Sequence, residues 1–377
     1  MTVDSPGAEM AVPMSASDLD AAWLESALRH AGHLSGGSVA SVSHQIIGEG
    51  VGMVGQLARL TITYSGEAGD LPPTMIAKLP SPYEANRAQM QAFRYYVREA
   101  LFYREVAPRA GVRVPRCYWS AIDTETNLSA LLLEDLGHLE VSDQIAGMSP
   151  ALAERAIRAA AKLHAKWWQT PELDALDWMD FGNGPITMQA VPLFHYAWPL
   201  FLANGFERLL SPDQIRLGER VRDRFEDLLN DFGGTQRTIC HTDFRSENMF
   251  FGAPGTDDDV VLLDWQLTTR SGGLYDVAYM LAQSLSVEDR RAHEDRLLRV
   301  YHQCLREGGI EVPFEEILEY YKVSLMVCLV IPVSVGGTLD MANERGRMLG
   351  EVITQRTFTA ATDQGCAAVL DARYGTD

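Results

Sequence analysis

The segment that decides the fold lies in the second half of the chain. It reads His241-Thr242-Asp243-Phe244-Arg245-Ser246-Glu247-Asn248, and Asp264 follows sixteen positions further on. Two short apolar runs, residues 249–251 and 260–263, lie between them and predict a β-hairpin. Asp243 and Asn248 precede this hairpin and Asp264 follows it. We therefore expect three oxygen-bearing side chains at one end of a two-stranded ribbon.

Phosphoryl transfer requires such a set of side chains. One carboxylate orients an attacking hydroxyl and accepts its proton, while an amide oxygen and a second carboxylate hold Mg²⁺, a hard cation that prefers oxygen ligands. Each residue alone would be interpreted as a turn cap or a strand end. Their order and spacing instead predict Asp243 as the catalytic residue, with Asn248 and Asp264 as magnesium ligands.

These residues carry a resemblance to a known family. His241-x-Asp243-x4-Asn248, with Asp264 after the hairpin, resembles the catalytic loop and metal motif of the aminoglycoside phosphotransferase and choline-kinase-like superfamily. The loop is similar to the His-Gly-Asp-Phe-Arg form of the phosphotransferase enzyme branch, and the early region resembles ecdysteroid-kinase-like members. Thr242 stands where glycine is usual. The resemblance spans roughly residues 46–282 and implies an α+β, bilobal protein-kinase-like fold that binds ATP and Mg²⁺.

The local patterns agree with that fold class. Short runs with β-branched or alternating apolar residues predict an antiparallel N-terminal sheet, and helical spacing predicts its main helix over residues 87–106. The expected strands are 42–47, 56–64, 74–78, 116–122 and 129–134. The mostly helical part that follows has expected helices at 151–169, 192–210, 212–231, 287–306, 314–330 and 342–362. We expect a flexible leader (1–15), an N-lobe (16–136) and a helical C-lobe with the catalytic loop and the acceptor site (137–377).

A glycine-rich segment joins the first two predicted strands. Gly50, Gly52 and Gly55 fit the pattern GxGxxG, which also occurs in dinucleotide-binding Rossmann folds. There a helix must follow the glycines, whereas residues 57–64 read as a strand. The segment therefore favours a kinase hairpin that covers the nucleotide phosphates. A flexible hairpin without a ligand is the alternative.

The resemblance assigns three further parts of a nucleotide site. Lys78, in an apolar strand, resembles the lysine that contacts the α- and β-phosphates, although an edge lysine that protects the sheet is an alternative. Glu99 matches the family pattern Arg-Glu-x-x-Phe-Tyr and is expected to pair with Lys78, with Glu105 as the second choice. In the hinge over residues 131–137, backbone groups of Glu134 and Leu136 are expected to bind adenine.

Three residues are expected to support the site. Asp276 resembles the aspartate that holds the catalytic-loop backbone, although a helix N-cap is an equally good local interpretation. His241 is expected to orient the loop, and His164 to be a hydrogen-bonded core residue. Aromatic residues between positions 167 and 201 either line the acceptor site or form core between helices.

Composition limits the possible partners. With 32 Lys and Arg against 51 Asp and Glu, the formal charge of −19 disfavours nucleic acid and anionic lipid over most of the surface. The longest apolar stretch, residues 323–335, is shorter than the roughly 20 residues of a membrane-spanning helix. It predicts a buried helix that ends near Pro332 and the Gly336–Gly337 pair. We expect no nucleic-acid or membrane partner.

The sequence thus predicts an ATP-dependent small-molecule kinase that transfers the γ-phosphoryl group to a substrate hydroxyl. Scattered cysteines and the lack of a signal-peptide pattern predict a cytoplasmic protein. The alternatives are a catalytically silent pseudokinase that acts as a partner-binding module, and a dinucleotide-dependent oxidoreductase. The sequence leaves open the acceptor, the choice between ATP and GTP, and the oligomeric state.

Overall fold

The computed structural model describes residues 10–48, 55–234, 236–338 and 343–375. These residues form two compact units. The first runs to Arg109 and resumes with Val114–Leu139, and the second comprises Ala110–Arg113 and the chain from Glu140 onward. Lys78 and Glu99 therefore belong to the first unit, and the catalytic-loop segment belongs to the second.

The first unit is built on an antiparallel sheet of five strands, which confirms that part of the predicted fold. Its elements are α1 (Ala21–His30), β1 (Ser38–Ile47), β2 (Gly55–Ser65), β3 (Thr74–Pro80), α2 (Glu84–Ala92), α3 (Tyr95–Leu101), β4 (Cys117–Asp123) and β5 (Leu128–Glu134). The strand order is β1-β2-β3-β5-β4, with β3 in the centre. Along β2, Ala58, Leu60 and Ile62 alternate with more exposed residues and share one core with Leu24 and Leu28 of α1.

The helix expected over residues 87–106 is interrupted, so that prediction was wrong in its continuity. Helix α2 ends at Ala92, and Arg94 takes the left-handed conformation with φ 57°. A left-handed residue cannot continue a right-handed helix, and α3 therefore begins afresh at Tyr95. A π-helical turn, Phe102–Val106, follows α3. Glu99 is a buried residue of the new helix α3.

The second unit is mostly helical, as predicted. Its helices are α4 (Pro150–Trp167), α5 (Ala190–Ala203), α6 (Pro212–Asp223), α7 (Phe225–Gly234), α8 (Leu274–Ser284), α9 (Val287–Glu307), α10 (Phe314–Cys328), α11 (Val330–Thr338), α12 (Glu344–Asp363) and α13 (Cys366–Tyr374). Its strands are β6 (Glu140–Val141), β7 (Arg237–Cys240), β8 (Met249–Phe251), β9 (Val260–Leu262) and β10 (Thr269–Gly272). Strand β8 pairs with β6 and β9, and β7 pairs with β10.

Two other long helices are also shorter than expected. The helix predicted over residues 192–210 ends with α5 at Ala203, and Gly205 takes φ 88° before a 3-10 turn. The helix predicted over 212–231 is divided at Arg224, whose ψ of 14° leaves the helical range. Apolar spacing continued across both breaks, and the backbone geometry at single residues ended the helices.

The apolar stretch near Pro332 agrees with its prediction only in part. The helix does not end at Pro332, which is the third residue of α11, in a first turn where its missing N–H leaves no helical hydrogen bond unmade. It ends at Thr338, directly after the Gly336–Gly337 pair. Among the described residues, Phe314–Thr338 is long and apolar enough to cross a membrane. However, 67% of its most apolar window is buried inside the protein. That burial is typical of a core helix.

Candidate active site

The predicted catalytic loop, residues 241–248, begins where β7 ends, and a buried carboxylate holds its backbone. Asp276 on α8 is fully buried and accepts hydrogen bonds from His241 N at 2.7 Å and from Thr242 N at 2.8 Å. His164 Nε2 lies 3.2 Å from the same Asp276 carboxylate, and Tyr301 contacts His164 Nδ1 at 2.9 Å. The predicted roles of Asp276 as a backbone anchor and His164 as a hydrogen-bonded core residue are confirmed.

Thr242 adopts the conformation that glycine takes easily. Its φ is 71°, in the left-handed region, which costs a non-glycine residue about 1–2 kcal/mol. Two contacts offset this cost, the hydrogen bond from its amide to Asp276 and a 2.9 Å contact between its hydroxyl and that of Thr269. At the position where glycine is usual, Thr242 thus takes a conformation that glycine adopts at no steric cost.

Asp243 is held by three neighbouring side chains. Its Oδ1 accepts from the Tyr279 hydroxyl at 3.0 Å, its Oδ2 accepts from Asn248 Nδ2 at 2.7 Å, and Arg245 Nε lies 3.3 Å from Oδ1. Burial raises the pKa of Asp243, but the charge of Arg245 and the donated hydrogen bonds outweigh it and lower the pKa below its ordinary value. The side chain is 14% exposed. Asp243 is therefore an oriented, reachable anion at neutral pH.

Asn248 presents its amide in one orientation. Its Nδ2 donates to both the backbone carbonyl of Asp243, at 2.9 Å, and the Asp243 carboxylate. Both partners are acceptors, so only the NH₂ group can face them. The Oδ1 atom of Asn248 consequently points away from Asp243.

Asp264 lies beside Asn248 because of the hairpin. Met249 pairs with Leu262, and Leu263 N donates to Asn248 O at 2.9 Å, which brings the end of β9 next to the catalytic loop. Asp264 itself has φ 64°, an uncommon conformation that occurs at functional sites. The structure thus brings Asp243, Asn248 and the Asp264 segment together, and a carboxylate and an amide oxygen suit Mg²⁺.

His241 joins the loop to this hairpin. Its Nε2 contacts Leu263 O at 2.6 Å, and Asp243 N donates to its Nδ1 at 3.3 Å. The ring is thus held at both nitrogens, by a carbonyl on one side and a backbone amide on the other. Its ring packs against the buried Trp265, with 4.6 Å between centroids. The predicted role of His241 in orienting the loop is confirmed.

In the first unit, Lys78 pairs with Glu99. The Lys78 Nζ lies 2.7 Å from Glu99 Oε2 and 2.9 Å from Oε1, and the two side chains are 15% and 4% exposed. Lys78 stands on the central strand β3, so its interpretation as an edge lysine was wrong. Glu105, the second choice as its partner, is exposed.

The glycine-rich segment and the hinge also belong to the first unit. Strands β1 and β2 pair antiparallel, with Ile47 opposite Leu57, so the glycines join strand to strand and the requirement of a Rossmann site for a following helix is not met. Gly50 and Gly52 lie outside the described residues. Gly55 begins β2, where a Cβ would lie 2.6 Å from Leu79 O, a spacing that only glycine permits.

The hinge residues lie at the end of β5. Glu134 N donates to Arg116 O at 2.9 Å, and Glu134 Oε2 accepts from Arg116 N at 2.9 Å. Leu136 is buried. Between them, Asp135 accepts from Arg59 Nε at 2.8 Å and from Gly137 N at 3.0 Å. These bonds fix the turn in which the backbone of Glu134 and Leu136 lies.

Sequence reasoning missed two members of the site and left the aromatic residues undecided. Arg245 was inside the quoted motif but received no role, and Tyr279 follows Asp276 by three positions, a helical spacing that could have indicated it. The aromatic residues of the expected acceptor region divide into two groups. Trp167, Phe194, Trp198 and Phe201 are core, at most 2% exposed, whereas Trp168 and Trp178 are half-buried and Tyr196 is 66% exposed.

This combination of parts defines a class of protein. A Lys–Glu pair in a sheet unit, with an Asp–Asn pair and a following Asp around a hairpin in a helical unit, is the arrangement of kinase-like phosphotransferases. The sequence model of the ecdysteroid kinase-like family matches residues 49–311, well over half of the chain. The chain belongs to this family.

One curated relative and two solved structures extend the comparison. An uncharacterized kinase-like protein of Caenorhabditis elegans is 24% identical over 216 residues, and the match covers 54% of this chain and 54% of that protein. The chain thus spans about half the length of this relative.

Both solved structures share the fold. A candidate aminoglycoside phosphotransferase from Ralstonia eutropha has a TM-score of 0.53 at 17% identity, with 90% of this chain and 97% of that chain covered. Choline kinase from Cryptosporidium parvum has a TM-score of 0.51 at 12% identity, with 86% and 91% covered. The fold is therefore that of the protein-kinase-like phosphotransferases.

Proposed function

We propose that this protein is an ATP-dependent kinase that transfers the γ-phosphoryl group to a hydroxyl of a small molecule. The observation that carries the proposal is the hydrogen bond from Asn248 Nδ2 to Asp243 Oδ2, which would leave the Asp243 carboxylate oriented for an acceptor hydroxyl and the Asn248 amide oxygen free to bind a cation. Membership of the ecdysteroid kinase-like family supports it. The acceptor is a small hydroxylated compound, an aminoglycoside or another alcohol.

The proposed metal ligands are Asn248 Oδ1 and the Asp264 carboxylate. Bound Mg²⁺ would neutralise charge on the nucleotide phosphates and align them. In this proposal Lys78 contacts the phosphates, and Glu99 holds its ammonium group in place. Mg²⁺ and the Lys78 ammonium group would both be needed, because the nucleotide is an anion and the protein has a formal charge of −19.

Further contacts to the nucleotide are assigned to the rest of the first unit. Gly50, Gly52 and Gly55 belong to the hairpin that would cover the phosphates. The backbone carbonyl of Glu134 and the backbone N–H of Leu136 would bind the adenine edge. The hydrogen bonds of Asp135 support these roles, since they fix the turn between the two residues.

Asp243 would act on the acceptor hydroxyl. Its carboxylate accepts the hydroxyl hydrogen bond and aims the oxygen at the γ-phosphorus, and the proton passes to it as the new P–O bond forms and the bond to the leaving ADP breaks. A lowered pKa makes Asp243 a weak base, so orientation supplies the larger share of its effect. Such a division suits a loose transition state that needs positioning and charge stabilisation.

The test is a panel of hydroxylated compounds, including aminoglycosides, cholines, sugars and sterols, assayed for acceptor-dependent ADP release with ATP and Mg²⁺. Mass spectrometry would check that each active acceptor gains one phosphoryl group. Asp243→Asn should keep ATP binding and lower transfer by about 10²–10⁴-fold. Asp257→Asn, an exposed residue of the same hairpin, is the matched control.

The outcomes of this test separate the candidate functions. Transfer at the wild-type rate by Asp243→Asn would contradict the role of Asp243. Binding of ATP without transfer to any acceptor would favour the pseudokinase. A thermal-shift assay with each ligand tests the oxidoreductase. A rise in the unfolding temperature with NAD(H) but not with ATP would favour it, since a ligand stabilises the native state by mass action.

A further inference from the structure

Helix α8 contacts the catalytic loop at three consecutive residues. All eleven residues of α8 are buried, so the helix is fixed in the core of the second unit. Asp276 holds the backbone amides of His241 and Thr242, and Tyr279 holds the side chain of Asp243. Asp276 and Tyr279 are three positions apart and therefore lie on one face of the helix. A single rigid element thus sets both the loop backbone and the Asp243 carboxylate.

The two oxygens of Asp243 are held from different directions. Asn248 donates to Oδ2, and it belongs to the same loop as Asp243. Tyr279 donates to Oδ1 and belongs to another element, 36 positions along the chain. A carboxylate held at one oxygen can still rotate about its Cβ–Cγ bond, whereas donors at both oxygens fix its plane. Arg245 of the loop also approaches Oδ1, at 3.3 Å, but its hydrogen bond goes to Oδ2 at 3.4 Å. Tyr279 therefore supplies, from outside the loop, the shorter hydrogen bond to Oδ1.

The Tyr279 hydroxyl is suited to donate a hydrogen bond to Asp243 at all physiological pH values. Tyr279 is 4% exposed, and burial together with the adjacent Asp243 carboxylate raises the pKa of its hydroxyl well above its usual range. The phenol therefore stays protonated through the physiological range, and its hydrogen bond to Asp243 is charge-assisted.

We propose that Tyr279 is a positioning residue for phosphoryl transfer, whose hydroxyl fixes the plane of the Asp243 carboxylate and so directs its remaining lone pairs at the acceptor hydroxyl. The inference rests on the proposed function of Asp243. It assigns Tyr279 an effect on the chemical step, exerted through Asp243 and not by contact with nucleotide or acceptor.

The test compares two tyrosines of the same helix. Tyr279→Phe removes the hydroxyl and keeps the buried ring. Tyr275→Phe is the matched control, because Tyr275 is equally buried, its ring lies 5.9 Å from that of Tyr279, and its hydroxyl makes no hydrogen bond within the described residues. Tyr279→Phe should lower kcat about 10- to 100-fold, as expected for loss of a hydrogen bond to a charged group, and leave KM for ATP within about twofold. Tyr275→Phe should change neither.

A double-mutant cycle separates positioning from packing. In the Asp243→Asn background, Tyr279→Phe should cause almost no further loss, because its effect passes through the Asp243 carboxylate. A loss equal to that in the wild-type background would overturn the proposal, as would an unchanged kcat in the single variant. Circular dichroism and thermal unfolding would verify that each variant is folded.

A second measurement does not require turnover. Crystal structures of the wild type and of Tyr279→Phe should show the Asp243 carboxylate rotated or disordered in the variant and ordered in the wild type. An identical, ordered carboxylate in both would overturn the positioning role whatever the activity. If no acceptor is phosphorylated but the carboxylate moves, the proposed function fails while the positioning of Asp243 by Tyr279 stands.

Discussion

Lys78 and Glu99 form an ion pair that joins the central strand of the first unit to helix α3, with 2.7 Å between Nζ and Oε2. The pair exists because Arg94 breaks the preceding helix and α3 restarts at Tyr95. Glu99 is 4% exposed and therefore carries a desolvation cost that Lys78 offsets. A pair of this kind fixes the ammonium group at one place on the sheet.

We expect Glu99→Gln to weaken nucleotide binding. An amide cannot hold the ammonium group as a carboxylate does, so the affinity for ATP-Mg²⁺ should fall about tenfold, the effect of losing about 1.4 kcal/mol. Isothermal titration calorimetry would measure it. Glu105→Gln, an exposed glutamate a few residues further on, should bind ATP like the wild type. Equal affinity in Glu99→Gln and the wild type would rule out this role for Glu99.

We expect Asp276→Asn to destabilise the second unit. The new NH₂ group would face one of the donors now bound by the carboxylate, His241 N, Thr242 N or His164. The free energy of unfolding should fall by about 2–3 kcal/mol. Denaturant titration would measure this, with Asp295→Asn as control, since that carboxylate is 70% exposed and pairs only at the surface. A loss of less than about 0.5 kcal/mol would show that Asp276 does not anchor the loop.

The left-handed backbone of Thr242 gives a prediction about glycine and alanine. Both Thr242→Gly and Thr242→Ala lose the hydroxyl contact to Thr269. The difference between their free energies of unfolding therefore reports the backbone strain at φ 71°. The strain of about 1–2 kcal/mol in alanine exceeds the greater unfolded-state entropy of glycine, about 0.5–1 kcal/mol. The glycine variant should therefore be the more stable by about 1 kcal/mol.

The control for this comparison lies in a helix. At Thr359 in α12 the order should reverse, with alanine about 1 kcal/mol more stable than glycine, because there the backbone is helical. Chemical denaturation of the four variants would measure both differences. Thr242→Ala at least as stable as Thr242→Gly would contradict the positive φ.

Much of the site could be predicted because its signals are local in sequence. The spacing of Asp243, Asn248 and the hairpin identifies the loop, and pairing of β8 with β9 follows from two apolar runs. Short connections also predict the antiparallel pairing of β2 with β1 and β3, whereas the position of β5 between β3 and β4 does not follow from them. Lys78 and Glu99 are 21 positions apart, and their pairing came from the family pattern and not from the residues alone.

The rest depends on tertiary structure. Left-handed residues such as Arg94 and Asp264 are not marked by glycine and leave no trace in hydrophobic spacing. Strands β7 and β10 have four residues each, too few for a period to appear. In the sequence, Tyr279 does not differ from other tyrosines on the apolar face of a helix. Its role depends on the packing of α8 against the loop, which brings its hydroxyl to Asp243.

The hinge gives a prediction about pH. Burial raises the pKa of Asp135, but Arg59 and the amide of Gly137 outweigh it and hold the pKa below its ordinary value. A carboxyl group whose pKa is lower in the folded state contributes stability above its unfolded pKa of about 3.9, and loses it as pH falls through the folded value. The first unit should therefore lose stability on acidification partly through Asp135.

Asp135→Asn isolates that contribution. At pH 7 the substitution should lower the free energy of unfolding by about 1–2 kcal/mol. The two hydrogen bonds from Arg59 are charge-assisted, but the loss stays moderate because Arg59 is 35% exposed to solvent. The difference in free energy of unfolding between the wild type and Asp135→Asn should become smaller below about pH 4. Denaturant titrations at several pH values would measure it, with the exposed Asp70→Asn as control. A gap that stays constant down to about pH 2 would contradict the lowered pKa.

The metal ligands can be tested by their concentration dependence. If Asn248 and Asp264 hold Mg²⁺, chelation with EDTA should abolish phosphoryl transfer, and Asp264→Asn should raise the Mg²⁺ concentration for half-maximal transfer at least about tenfold, because loss of even a residue behind a ligand weakens metal binding about 10- to 100-fold. Asp257→Asn, exposed in the β8–β9 turn, should keep the wild-type requirement. Saturating Mg²⁺ should partly restore the rate of Asp264→Asn, since the variant weakens binding of the cation while the Asp243 carboxylate stays in place. An unchanged Mg²⁺ requirement in Asp264→Asn would exclude this carboxylate as a ligand.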